Sequence, residues 1–561
     1  MKNSMKLPIC MGLFFCTVQL SAQTDLGQET IFTFGDRNLT LGDAFKINVS
    51  PSIIDSAVTI DEPNYLFTPK RAATKYEVKP ILPARLRVME PLQKLNRAYV
   101  RAGIGLRTTP LLQVSINQLR NKKSQVGLNF HHLSSDLAID ELAETQFSDN
   151  KLDVWGKFMF NKLTAETKVR YNRYVRHFYG YNPEFFDLTS RDIKQTANEI
   201  GGVVALANVF KDSSQVNFAS DVDVNVFSDA FDASEIQVKS NNHFSKFHNK
   251  ERYLLDVNVD INQLQSTIPV DSTEVKQSNG IVEITPQVVS KGKTLEVQAG
   301  LSIQGNMNKT AEFHFYPRVS ASLKLFNNIL IPYVGLKGGL IRNNLAGMFR
   351  ENAFVSSHQN LINTNEKLVF YGGIRGSLSS STSFNLSVSS KKVEDYLLYV
   401  NDTLNGIGNR FTAIYDDGRV LKVSGEINFQ KGRYSEVYLK GDWFDYGFST
   451  QNAWNLPDYQ LTLGSRFRVA QKFKVGIELY YIGERQAKVI RPIEVVTPSN
   501  PTTEVEELDA FIDANLLLEY HYNKRISAFV QASNLANSGY QRWFRYETMP
   551  FTLIGGFSVK F

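Results

Sequence analysis

Three groups of residues have the types and spacing to do chemistry. The run Asp221-Val222-Asp223-Val224-Asn225-Val226, with Asp232 beyond it, has the alternating oxygens of a calcium loop. Such a loop needs a glycine at its sharp turn, where this chain has Val226, and the intervening valines mark a strand instead. Asp256-Val257-Asn258-Val259-Asp260-Ile261-Asn262 repeats the device. Asp221, Asp223, Asp256 and Asp260 therefore form a candidate acidic and amide-lined patch of lumen wall that could attract cations or seat a plug-like segment, and no metal site is assigned to them. His131 and His132 are adjacent and must point to opposite faces of a strand, so they do not share a ligand. His521 lies two residues after Glu519, on the same face. No Gly-x-Ser-x-Gly elbow is present, and the Ser, His and acidic residues do not assemble into a nucleophilic set. No catalytic residue or cofactor is assigned. The third group is aromatic: Tyr171, Tyr174, Phe178, Tyr179, Tyr181, Phe185 and Phe186 run from a strand end into a connection. Tyr171 and Tyr174 are expected in an interfacial aromatic belt. Phe178, Tyr179, Tyr181, Phe185 and Phe186 form a candidate external loop whose rings could hold a sugar or a partner protein. Trp543, Phe544 and Tyr546 carry the same two readings.

The elements that carry these residues are strands. From Arg97 onward apolar and polar residues alternate almost continuously. Val126, Leu128 and Phe130 stand against Gln125, Asn129 and His131; Phe313, Phe315, Val319 and Ala321 stand against His314, Arg318 and Ser320. Lys422, Glu426, Lys474 and Glu478 fall on the polar face of their strands. A Lys or Arg facing lipid near the midplane costs roughly 2–4 kcal/mol, so this segregation is what a barrel with lipid outside and water inside requires.

Connection lengths give an independent test. Short links near Asn121, Asn161, Asp212, Asn249, Lys291, Asn327, Ser380, Gly432, Gln471 and Asn523 alternate with mostly longer ones. The longest run from Ser134 to Asn150, His177 to Asp192, Asn343 to Glu366, Glu394 to Arg419 and Arg485 to Glu507. Short turns on one side and long loops on the other are the habit of bacterial barrels, and the count comes to about 22 strands. The expected fold is thus all-β: a transmembrane antiparallel β-barrel over residues 96–561, with a short N-terminal segment in the periplasm or lumen.

Ahead of the barrel, Lys2 and Lys6 precede an apolar core, Leu7 to Leu20, and a small-residue exit at Ser21-Ala22. This reads as an export signal over residues 1–22, and it contains both cysteines, Cys10 and Cys16. Residues 23–95 are punctuated by Pro51, Pro63, Pro69, Pro80, Pro83 and Pro91, which disfavours long helices and central strands. The net charge of +6 shrinks when Lys2 and Lys6 leave, and nothing points to nucleic acid.

The chain ends on Phe551-Thr552-Leu553-Ile554-Gly555-Gly556-Phe557-Ser558-Val559-Lys560-Phe561. A terminal aromatic with an apolar residue two before it resembles the closing strand of outer-membrane barrels. That resemblance makes Gly556, Val559 and Phe561 the signal read by the assembly machinery, although Ile554 holds a place usually polar. Asn534-Leu535-Ala536-Asn537 followed by Gly539-Tyr540 is similar to the penultimate strand and last loop of TonB-dependent receptors. The resemblance covers the chain from about residue 97. The Tyr99 to Pro110 hairpin is similar to proteins of this type from the Bacteroidota. Such receptors carry an N-terminal box for their energising partner and a full plug domain, and neither is apparent in residues 23–95.

Two functions are expected from this. One is a conduit for solutes across the outer membrane, partly occluded by residues 23–95. The other is a sealed barrel that serves as a scaffold for lipoproteins or surface assemblies. Partners in either case are outer-membrane lipid and the assembly machinery.

Overall fold

A strand leaves hydrogen-bonding groups unpaired along both edges, and a series of strands satisfies all of them only by closing on itself. This chain closes. The computed structural model describes residues 95–561, apart from 137, 138, 140, 141, 209–214, 269–270, 309–310, 327–328, 403–406, 433–434, 471 and 491–502. The expected export signal, both cysteines and the proline-punctuated segment up to residue 94 lie outside the described residues. Among those described, 22 strands form one antiparallel sheet. The first strand, Ala98–Gly105, pairs with the last, Thr552–Lys560, from Tyr99 opposite Lys560 to Gly105 opposite Ile554. Two short hairpins, Arg485–Ile490 with Thr503–Leu508 and Gln541–Trp543 with Tyr546–Glu547, stand outside the barrel sheet.

The outer face is apolar. Ile104, Phe313 and Phe315 are 67%, 65% and 65% exposed, with Val224, Ile427 and Leu461 also open. In water a continuous array of this kind would drive aggregation, whereas in a bilayer it meets hydrocarbon. No described helix is long and apolar enough to cross a membrane. Charges inside strands pair across the opposite, inner face, as in Lys422 with Asp442 at 3.3 Å and Arg170 with Asp223 at 2.7 Å.

The short links fall where the sequence placed them. Two long links differ: that from Arg485 to Glu507 carries the hairpin outside the barrel sheet, and the expected loop from Glu394 to Arg419 is largely strand. Thr382–Asp402 and Arg410–Lys431 run through it, because the ladder resumes past a bulge between Val393 and Tyr396 and pairs up to Asp402 opposite Arg410. The seam is tight. A Cβ at Gly556 would meet the backbone oxygen of Ala102 and approach the Gly103 Cα to 2.5 Å, so only glycine fits there.

Candidate functional site

Two parts of the barrel position polar and aromatic groups for function: the inner wall and the mouth on the long-loop side. On the wall, alternation sends Asp221 and Asp223 inward from Asn217–Ser228, and Asp256 and Asp260 inward from Glu251–Thr267. The strand between them, Ser234–His248, puts Lys239 in register with both Asp223 and Asp260. Asp221 accepts from Asn241 Nδ2 at 2.9 Å, and Asp223 accepts from Arg170 Nη2 at 2.7 and 3.0 Å. Asp256 is held by His243 Nδ1 at 2.5 Å and Gln287 Nε2 at 2.7 Å. Asp260 meets Gln237 Nε2 at 3.0 Å, Arg342 Nε at 3.3 Å and Lys239 Nζ at 3.9 Å. The structure brings the four carboxylates onto one wall, and interleaves them with cations and amides. The wall is therefore a compensated network and not a bare negative patch.

The second part is a cap. The connection 342–363 leaves the thirteenth strand, Leu330–Ile341, and folds inward as the helix Leu345–Glu351 and an irregular return. Asn344 caps the helix by accepting from Gly347 N at 3.2 Å. The buried carboxylate of Glu235 receives Leu345 N and Ala346 N, each at 2.8 Å, and Asn344 Nδ2 at 3.1 Å; Asn262 Nδ2 supplies a fourth donor at 3.0 Å. A negative charge at this helix end also faces the positive end of the peptide dipoles. Further along, Gln359 donates to Phe411 O at 3.1 Å and accepts from Ala413 N at 2.7 Å.

Other connections join this one. Asn409 Nδ2 donates to Phe178 O at 2.9 Å, Tyr179 hydroxyl donates to Glu547 O at 2.8 Å, and Tyr546 hydroxyl donates to Asn409 O. These residues leave the barrel between its fifth and sixth, fifteenth and sixteenth, and last two strands. The first two pairs stand almost opposite each other around a ring of 22, so contact between their loops places them over the middle of the mouth. Phe354 stacks on Tyr546 at 3.6 Å, and Tyr179 meets both rings edge-on. Phe411, Leu345 and Met348 complete one buried apolar core.

The same geometry places the residues of the candidate binding loop. Phe178, Tyr179 and Tyr181 are 0%, 6% and 6% exposed, because rings on a connection that crosses the mouth bury against the other connections. Phe186 packs edge-on against Tyr181, and Phe185 alone of the five is open, at 73%. Tyr171 faces outward as a belt residue would, but Tyr174 faces inward and packs on Phe349 at 5.8 Å. Trp543, Phe544 and Tyr546 join the cap core. His131 and His132 do diverge, to Gln113 and Asn150 respectively, and His521 lies 3.8 Å from Glu519. Val559 and Gly556 pair with Val100 and Gly103 at the seam, and Phe561 N donates to Ala98 O at 2.9 Å. Sequence reasoning missed Glu235 and the cap helix, although Asn344 before Leu345-Ala346-Gly347-Met348-Phe349 is a legible start signal.

Burial shapes the protonation of the cap. The carboxyls of Glu351 and Asp229 are pushed up by desolvation, against hydrogen bonds that favour their charged forms. Tyr399 hydroxyl donates to Glu351 at 2.9 Å. Arg485 is pushed down to about 10, by burial first and by the neighbouring Arg542 second.

A closed antiparallel barrel of 22 strands with a polar inner wall and in-folded loops defines a class of large outer-membrane-type barrels. Within that class, the fold is that of the TonB-dependent receptor barrel. The FrpB iron transporter from Neisseria meningitidis superposes with a TM-score of 0.64 at 9% identity, over 84% of this chain and 82% of that one. The ferripyoverdine receptor of Pseudomonas aeruginosa gives 0.63 at 11%, over 84% and 72%. The copper transporter OprC gives 0.60 at 10%, over 84% and 82%. No protein-family model and no curated protein sequence matches the chain.

Proposed function

We propose that this protein is an outer-membrane barrel that passes a solute through its lumen, with the outer mouth held shut by its own long connections in the resting state. The observation that supports it best is the continuous polar inner face of a 22-strand barrel. Barrels of this size are wider than their wall side chains can fill, unlike those of about eight strands. The similar structures are of proteins described as iron and copper transporters and a ferripyoverdine receptor, which fits the same reading. In this reading residues 1–22 direct export, residues 23–95 regulate the path, and Asp221, Asp223, Asp256 and Asp260 line it as part of a charge-compensated wall. Gly556, Val559 and Phe561 engage the assembly machinery.

The interlocked aromatic core of the cap favours a second reading, a sealed scaffold for lipoproteins or surface assemblies. Single-channel conductance in a planar bilayer separates the two. The mature chain, the chain without residues 24–90, and that truncated chain carrying Glu235→Ala are compared. Conductance that rises along the series supports the conduit. Silence from all three, with a stable partner recovered by crosslinking in intact envelopes, supports the scaffold.

A further inference from the structure

The lipid-facing side of the barrel carries a groove whose lining and rim match one class of occupant. Across the strands Thr382–Asp402, Arg410–Lys431, Ser435–Phe448 and Tyr459–Val469, the outward residues Leu386, Gly425, Gly441 and Leu461 stand in one row. The two adjacent glycines leave a notch two strands wide, and Gly372 on a neighbouring strand extends the groove. Val423 and Trp443 wall it on the long-loop side, and the whole groove has a volume of about 720 Å³. Tyr459 flanks Trp443 in register, so the aromatic rim lies toward the long-loop end, where rings take up headgroup level.

Beyond that rim, Lys392 and Arg419 are directly paired across neighbouring strands, and both are exposed. Like charges placed opposite each other on a sheet face repel. Asp445, at 4.0 Å from Arg419, offsets one of them; among the described residues Lys392 has no ion pair. Gly425 lies six residue steps from Arg419 along the strand, a span of about 20 Å, close to the length of an extended acyl chain. A basic pair at headgroup level, aromatic rings below it and an apolar notch below those are the three zones of a single phospholipid.

We propose that this face binds an anionic, phosphate-bearing lipid of the surrounding membrane, with the phosphate on Lys392 and Arg419 and one acyl chain in the Gly425–Gly441 notch. The inference rests on the membrane placement but not on solute passage, and it is read without any conductance. The test is native mass spectrometry of the full mature chain released from micelles containing dipalmitoyl phosphatidylglycerol or dipalmitoyl phosphatidylcholine, which share acyl chains. Retention of the anionic lipid is expected to exceed that of the zwitterionic one by roughly tenfold, and K392A/R419A is expected to abolish the preference. Gly441→Leu fills the notch without a backbone clash, since a Cβ there stands 3.4 Å from Leu461 Cδ1, and it is expected to cut retention of both lipids. Each variant is first checked for a folded barrel by its mobility on an unheated gel. Equal retention of the two lipids by the unmodified chain overturns the proposal. So does an undiminished preference in K392A/R419A, or unchanged retention in Gly441→Leu.

Discussion

Replacing Glu235 by alanine should open the cap while leaving the barrel intact. In the folded protein this carboxylate takes four donors: the amides of Leu345 and Ala346, and the side chains of Asn344 and Asn262. Its side chain is 1% exposed, so water does not share the task. A buried donor left without a partner costs about 1–3 kcal/mol, and hydrogen bonds to a charged group lie at the upper end. Four such losses are not additive, because water enters the space vacated by the carboxylate and satisfies part of them. A net cost of about 3 kcal/mol is a conservative sum. It falls on the connection 342–363 and not on the sheet, whose ladders on either side of Glu235 are untouched. The opening equilibrium of the cap should therefore shift by roughly a hundredfold. Hydrogen exchange read by mass spectrometry on peptides spanning 345–361 measures this directly, with peptides from Glu251–Thr267 as the internal reference. Exchange in the cap that stays within about twofold of the unmodified chain, in a barrel that still folds, would refute the latch.

Burial raises the Glu351 carboxyl, so its contribution to cap stability is complete below the ordinary glutamate range and is lost as pH rises through the raised value. Exchange of the cap peptides, corrected for the intrinsic rate, should thus accelerate with pH across that window, and Glu351→Gln should make the dependence shallower. Gly556→Ala places a Cβ against the backbone of Ala102 and Gly103, which cannot yield without opening the seam; a loss of about 1–3 kcal/mol should appear as a lower melting temperature of the band shift on unheated gels. Val224→Arg puts a cation on the lipid face midway along Asn217–Ser228 and should cost roughly 2–4 kcal/mol in urea refolding into vesicles, whereas Val224→Ile should be neutral within error.

The barrel was legible in the sequence because its grammar is local. A period of two is set by neighbouring residues, and a bilayer outside with water inside enforces it on every strand. Phe313, Phe315, Lys422 and Glu426 could therefore be sorted to their faces without knowing what they touch. The cap was not legible because its grammar is long-range. Glu235 meets the amide of Leu345, and Phe178 meets Asn409, across separations of 110 and 231 residues that no periodicity encodes. The aromatic run from Phe178 to Phe186 shows the consequence. In isolation, rings on an external loop are equally suited to hold a ligand or to pack, and the outcome depends on whether other loops reach them. Here they do, because 342–363 is long enough to cross the mouth and starts with an Asn-capped helix whose apolar face must be buried. Tyr174 differs for a local reason: it stands three residues from Tyr171 on one strand, so alternation turns it to the inner face, where the crossing loop supplies Phe349. The acidic wall lies between the two cases. Alternation placed Asp221, Asp223, Asp256 and Asp260 on one face, but the ion pairs from Arg170 and Arg342 and the hydrogen bond with His243 are set by strand register and by the first residues of the crossing loop. Arg342 thus belongs to both parts, since it leads into the cap and holds Asp260 on the wall.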